Sequence, residues 1–161
     1  MGHKDIAIIT GSPNHYTSNG RLNGYKRAMT NAGLTITDDY IQCGDYCIDG
    51  GYEAMMRLCK LQKRPTAIFI SNYDMTIGAY LAINYLRLKI PDDISVIGFD
   101  NFPLANVVNP PLSFAEQPTN VMGTEAGKLL YRRICGDYSD YPKTIMHKPT
   151  MHYKESIRQL T

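Results

Sequence analysis

The sequence predicts an α/β protein built on a doubly wound parallel sheet. Three observations lead there. Strand-length apolar runs alternate with segments of helical periodicity, the runs are apolar throughout rather than at every second position, and polar residues cluster just after each run. Strands that are apolar throughout are buried on both faces, as in a parallel sheet covered by helices on each side. A repeated strand, helix, strand order returns the chain each time to the same end of the sheet, by crossovers that are almost always right-handed.

The elements follow in order. "DIAIITG" (5–11) is the first strand, closed by Gly11; Leu22, Tyr25, Met29 and Ala32 then recur at helical spacing, and Gly33 stops the helix. "YIQCG" (40–44) is a short second strand. Asp49 is the expected N-cap of a helix carrying Ala54, Met55, Leu58 and Leu61, stopped by Pro65. "TAIFIS" (66–71) is the third strand, a helix runs from about Asp74 to Leu88, and "ISVIGF" (94–99) is the fourth strand. Residues 100–120 carry four prolines and no clean period, so a long ordered loop is expected, with a short extended piece at 112–117. One more helix follows, capped by Thr119 or Asn120, with Met122, Ala126, Leu129, Leu130 and Ile134 as its apolar side and Gly136 as its end. "TIMHK" (144–148) reads as a further strand and "MHYKES" (151–156) as a last extended segment.

With 161 residues and 43% hydrophobic content, the chain can bury the core of one domain. Lys and Arg number 17 against 15 Asp and Glu, with no basic block, so the chain alone is not expected to hold DNA. No apolar run approaches the roughly 18 residues of a membrane helix, and the apolar part of "MGHKDIAIIT" is too short for a signal peptide, so a soluble protein is expected. Cys43, Cys47, Cys59 and Cys135 form no CxxC pair and read as free thiols of a reducing cytosol. A metal at Cys43 and Cys47 lacks further ligands at usable spacing, and no cofactor is expected.

The fourth strand runs straight into Asp100. Ligands of open parallel sheets bind outside the carboxyl ends of the strands, and the other strand ends are polar too: "GSPNHYTSNGR", "GDY" and "SNYD". A carboxylate accepts from hydroxyls, an amide donates and accepts, an arginine donates as a planar fork, and an aromatic face covers C–H groups. Asp100, Asn72, Arg21 and Tyr46 supply one of each, which suits a neutral polyol such as a sugar, or a nucleoside-like molecule. Each also has a plainer reading: Asn72 as a helix cap with Ser71 and Asp74, Arg21 as a solvated charge, Asp100 as turn chemistry, Tyr46 as an ordinary half-buried ring. The chain has no GxSxG elbow, phosphate loop or GxGxxG after the first strand, and His3, His15, His147 and His152 lie near no evident nucleophile. A binding module rather than an enzyme is expected; His15 could touch a ligand, but a surface-loop residue is the expectation.

"GHKDIAIITG", "RLNGYKRAM", "PTAIFISNYDMTIGAYLAI", "IPDDISVIGFDN" and "PPLSFAEQP" resemble, in order and spacing, the carboxyl-terminal half of the effector-binding core of LacI/GalR-family bacterial transcription regulators. The resemblance covers essentially the whole chain. It implies a periplasmic-binding-protein-like core of two lobes, with a small-molecule effector in the cleft and a helix-turn-helix domain ahead of both. Residues 4–117 then form the carboxyl-terminal lobe, 118–148 supply a helix and strand that would complete an absent amino-terminal lobe, and 149–161 cross back. The implied function is the effector-binding and dimerisation part of a cytoplasmic regulator that contacts DNA only through the absent helix-turn-helix domain and uses no membrane. A lone lobe is expected to bind effector weakly or not at all. Arg21 matches the arginine that contacts effector hydroxyls, Asn72 and Asp100 match polar contacts, Tyr46 an aromatic wall, and Gln117 a residue near the hinge. Many members carry an acid directly before the third helix, where this chain has "SNYD".

A homodimer is implied as well. The third helix points to it independently: Ala79, Ala82, Ile83 and Leu86 can face the sheet, which leaves Ile77, Tyr80, Leu81, Tyr85 and Leu88 as a second apolar stripe. The resemblance adds the segment at Val107 and Val108 to that interface; the alternative cover is the chain's own long loop. A periplasmic sugar-binding protein of a transporter, which shares the fold, is the alternative function.

Overall fold

The structure is a computed structural model that describes residues 1–100 and 103–160; Asn101 and Phe102 of the expected loop lie outside the described residues. One sheet of six strands has the order β2-β1-β3-β4-β5-β6. β1 (Ile6–Thr10) lies between β2 (Ile41–Cys43) and β3 (Ala67–Ile70), followed by β4 (Ser95–Phe99) and β5 (Ser113–Glu116), all parallel. β6 (Thr150–His152) closes the edge antiparallel to β5.

Because β2 and β3 flank β1 on opposite sides, the first crossover covers one face and the next two cover the other. Helix α1 (Tyr16–Asn31) packs Tyr25 and Met29 on Ile8. Helices α2 (Ile48–Lys60) and α3 (Tyr73–Tyr85) bury Ala54, Met55, Leu58, Ala79, Ala82 and Ile83 against Ala7, Ile9, Ile68 and Ile70. Successive residues of β1 thus serve opposite faces, which is why its apolar run is unbroken.

Several boundaries differ from expectation. The N-cap of α2 is Cys47, whose Sγ accepts from the Gly50 N–H at 3.3 Å, and not Asp49. Asp45 and Tyr46 take left-handed backbone angles (φ 51° and 59°) and turn the chain from β2 into the helix in a few residues, which fixes its early start. The same helix ends at Lys60, ahead of Pro65. The proline-rich loop holds a short helix, α4 (Leu104–Val107), before the extended piece that becomes β5. After it comes α5 (Thr119–Ile134), terminated at Gly136 in the left-handed region (φ 83°).

The strand expected at 144–148 is not formed. A strand needs a neighbour for its N–H and C=O groups, and neither sheet edge pairs with this segment. The helix-and-strand unit expected over 118–148 is therefore a helix with an irregular return. Ile145 and His147 line a shallow hollow with Met122, Ala126 and Leu129, and His147 Nε2 sits 3.0 Å from Glu125. None of the residues of α5 is buried. Its end is tied by Arg132 to Asp137 (2.7 Å) and by Arg133 to Asp140 (2.6 Å).

The last residues strap the sheet from below. Ser156 Oγ, fully buried, accepts from the Ser113 N–H and donates to the Val96 carbonyl, while the Leu160 N–H bonds the Met1 carbonyl. His3 pairs Nδ1 with Thr66 Oγ1 at 2.9 Å and Nε2 with the Arg158 carbonyl at 3.0 Å. Burial pushes the His3 imidazole below its ordinary range, against the opposing pull of that carbonyl. The folded state therefore prefers neutral His3. Its contribution to stability is complete above the unfolded value of about 6.5 and declines as the pH falls through it toward the lower folded value. Urea midpoints measured between mildly acidic and neutral pH are expected to fall on acidification, and H3Q is expected to flatten that fall.

Candidate functional site

Each crossover starts at the carboxyl end of a strand, so the loops after β1, β2, β3 and β4 gather on one rim. Arg21, one turn into α1, lays its guanidinium on the Phe99 ring, 3.9 Å from the centroid, and donates to the Ser71 carbonyl. Phe99 precedes Asp100 and Ser71 precedes Asn72, so Arg21 contacts the residue before each of the two polar candidates. Stacking fixes the plane of the fork, and the carbonyl fixes its direction.

Asn72 is the N-cap of α3: its Oδ1 accepts from the Met75 N–H at 3.0 Å. The plainer reading of this residue as a cap is thus realised, and Nδ2 is left without a partner among the described residues. Asp100 has a left-handed backbone (φ 81°), its N–H bonds the Ala115 carbonyl, and its Oδ1 accepts from Gln117 Nε2 at 2.6 Å. Gln117 stands between β5 and α5, so this contact ties the end of β4 to the exit into the outlying helix. Conformations of this kind in a non-glycine residue collect at ligand sites.

Tyr46 reaches the same rim from the loop after β2. Its hydroxyl is held by Thr17 Oγ1 (2.9 Å) and Ser18 Oγ (2.8 Å), its ring lies 5.3 Å from that of His15, and it passes so close to Gly11 that a Cβ there would fall 2.1 Å from the ring. Gly11 is what lets the aromatic ring lie down on the end of β1. Beneath the rim, the hydroxyls of Thr10 and Ser71 are buried with no hydrogen-bond partner among the described residues. Sequence reasoning missed Phe99, Thr17 and Ser18, which position Arg21 and Tyr46 across long sequence separations, while His15 is an exposed loop residue as expected, beside the Tyr46 ring.

The residues assigned to the dimer interface lie elsewhere, on the α3 face of the molecule. Leu81, Tyr85 and Val107 are 50%, 71% and 73% exposed. Ile77, Tyr80 and Val108 are half-buried, and Tyr80 and Val108 pack at the edge of the core. Burial pushes the Tyr80 phenol well above its ordinary range. The stripe is thus partly buried at Ile77 and Tyr80 and open at Leu81 and Tyr85, where the Tyr85 ring lies 6.5 Å from that of Tyr52 on α2. All four cysteines are free, and among the described residues no three His, Cys, Asp or Glu side chains are grouped to hold a metal.

Against known proteins, residues 1–157 match the model of the periplasmic binding protein-like domain. The chain belongs to the periplasmic-binding-protein-like domain family. Curated members similar to it are named as repressors. The HTH-type transcriptional repressor PurR of Histophilus somni is 39% identical over 159 residues, 99% of this chain and 47% of that protein. The ribose operon repressor of Escherichia coli is 41% identical over 133 residues, 83% and 40% respectively. Among solved structures, a transcriptional regulator CelR–cellobiose complex superposes with a TM-score of 0.90 at 30% identity, over 96% of this chain and 47% of that one. A LacI-family regulatory protein from Chloroflexus aggregans gives 0.87 at 34%, over 98% and 56%. The chain spans about half the length of the curated relatives it matches, and it corresponds to the carboxyl-terminal half of the LacI-family effector-binding core. None of the described helices is long and apolar enough to cross a membrane.

Proposed function

We propose that this family member is the effector-sensing and dimer-forming part of a cytoplasmic LacI/GalR-type transcription regulator, and that a small neutral polar molecule binds at the rim through Arg21, Tyr46, Asn72, Asp100 and Gln117. The observation that carries the reading is the placement of Arg21, which bonds the end of β3 while stacked on the end of β4. Residues 4–117 with 149–161 act as one lobe; 118–148 belong with a second lobe, consistent with a helix none of whose residues is fully buried here. Effector caught between lobes favours the closed arrangement, and the Asp100–Gln117 contact lies where that closure hinges. Two copies pair through Leu81, Tyr85 and Val107, with Ile77, Tyr80 and Val108 at the margin, and so set the spacing of helix-turn-helix domains that alone touch DNA. The ribose and cellobiose in the names of two similar proteins fit the same donor and acceptor set, as does a nucleobase-like molecule. The transporter reading has less support, because the similar proteins are named as regulators and all four thiols are free.

Calorimetry with D-ribose, D-glucose, cellobiose and hypoxanthine tests this on the chain alone and on a longer form carrying an amino-terminal lobe. Weak binding by the chain and tight binding by the longer form are expected. Equally tight binding by the chain alone contradicts the two-lobe account.

A further inference from the structure

The segment that returns the chain from α5 to the sheet is held down at two histidines. His147 Nε2 lies 3.0 Å from Glu125 on α5, and His152 Nε2 lies 2.6 Å from Glu116 on β5. Neither contact is an aligned hydrogen bond, since Glu125 Oε2 and His152 Nε2 are shielded from solvent without a hydrogen-bond partner among the described residues. What holds each pair is therefore charge. Imidazole is the side chain whose charge changes between about pH 5 and 8. A neutral ring loses the attraction outright, and no hydrogen bond remains to replace it.

Little else fastens this segment. Residues 144–148 pair with neither sheet edge, β6 is only three residues long, and Ile145 rests in the shallow hollow beside α5 with Met146 87% exposed. The His152 ring also stacks on Phe114 at 4.8 Å, a contact that does not depend on its proton. Other charges near the rings are engaged or solvated. Lys154 Nζ, 5.5 Å from the Phe114 centroid, is taken by Asn106, while Arg132, Arg133 and Lys143 are paired with Asp137 and Asp140. Lys128, Lys148 and Glu155 are exposed. Glu116 and Glu125 are thus the groups that decide whether a protonated ring is attracted.

We propose that residues 144–152 form a pH-sensitive latch, held on α5 and β5 by two imidazolium–carboxylate pairs and loosened as both rings lose their protons. The attached form is the one that gains from protonation, so attachment is strongest in mild acid and declines as the pH rises through the range of histidine. His3 has the opposite sign, because burial there favours the neutral ring. Global unfolding therefore mixes the two effects, and the latch is read locally. Released, "TIMHK" offers unpaired backbone groups to any strand edge that comes near. Glu116 directly precedes Gln117, so the latch sits one residue from the contact that joins the end of β4 to the exit into α5.

Amide hydrogen exchange of the labelled whole chain, corrected for intrinsic rates, tests this between about pH 5.5 and about pH 8. An ion pair of this exposure is worth about threefold, so the protection of the β6 amides is expected to fall about tenfold over that interval. Overhauser contacts between Ile145 and Leu129 are expected to weaken with it. E116Q and E125Q keep the shape of each carboxylate and remove its charge, and the double variant is expected to show the lower, alkaline protection at both pH values. H3Q, at the other end of the sheet, is expected to keep the parental pH dependence of β6. If parental protection is the same at both pH values, or falls equally in the double variant, the latch is refuted.

Discussion

Replacing Gly78 by alanine is expected to destabilise the chain by about 3 kcal/mol, although alanine is the better helix former by about 1 kcal/mol. A Cβ at position 78 would fall 1.9 Å from the Ile48 carbonyl oxygen and 2.6 Å from the Tyr52 nitrogen. The contact is reciprocal, since a Cβ at Gly51 would fall 2.4 Å from the Met75 carbonyl oxygen and 2.5 Å from the Met75 Cα. Two helices thus meet backbone to backbone, and neither neighbour is the free end of a side chain that could turn aside. Accommodation requires α3 to move off α2, and α3 carries the exposed Leu81 and Tyr85. The control is G127A in α5, where no atom lies within 4 Å of the added Cβ and only the helix-propensity gain remains. Urea unfolding should show the two substitutions with opposite sign; G78A at or above parental stability would mean that the helices do not pack through these glycines.

The second large effect concerns Arg21. R21M retains the aliphatic stem and removes the fork, and a lost hydrogen bond from a charged group costs about 1.5–3 kcal/mol, or roughly ten- to a hundredfold in effector affinity. Folding should suffer less, because the stacking on Phe99 contributes only about 0.5–1 kcal/mol at a partly exposed site. R21K separates charge from geometry. A lysine ammonium is a compact point charge that cannot lie flat on Phe99, bond the Ser71 carbonyl and reach a ligand together, so it should restore little of the affinity. Parental affinity in R21K, read by calorimetry on the longer two-lobe form, would show that Arg21 acts through charge alone or not on the ligand at all.

Much of the architecture was legible because burial on two faces writes itself as an unbroken apolar run: β1, β3 and β4 each follow such a run. Asn72 was legible as a cap because capping is local chemistry. Where tertiary contact decides, the reading failed. "TIMHK" has strand-like composition but no edge to pair with, and Cys47 displaced Asp49 as a cap because consecutive left-handed residues set the start of α2. The candidate site was legible by residue type and position on the rim. Its organisation was not, because Arg21 to Phe99, Tyr46 to Thr17 and Gln117 to Asp100 each join residues far apart in the chain. The His3–Arg158 strap, spanning nearly the whole sequence, is the extreme case.

The most direct measurement is an amide-signal map of the labelled chain titrated with D-ribose, D-glucose and hypoxanthine. The account predicts that at least one of them binds weakly, with the perturbed residues confined to the carboxyl rim around Arg21, Tyr46, Asn72, Asp100 and Gln117. Perturbations centred on α5 or on the His3 end of the sheet, with the rim unmoved, would contradict it.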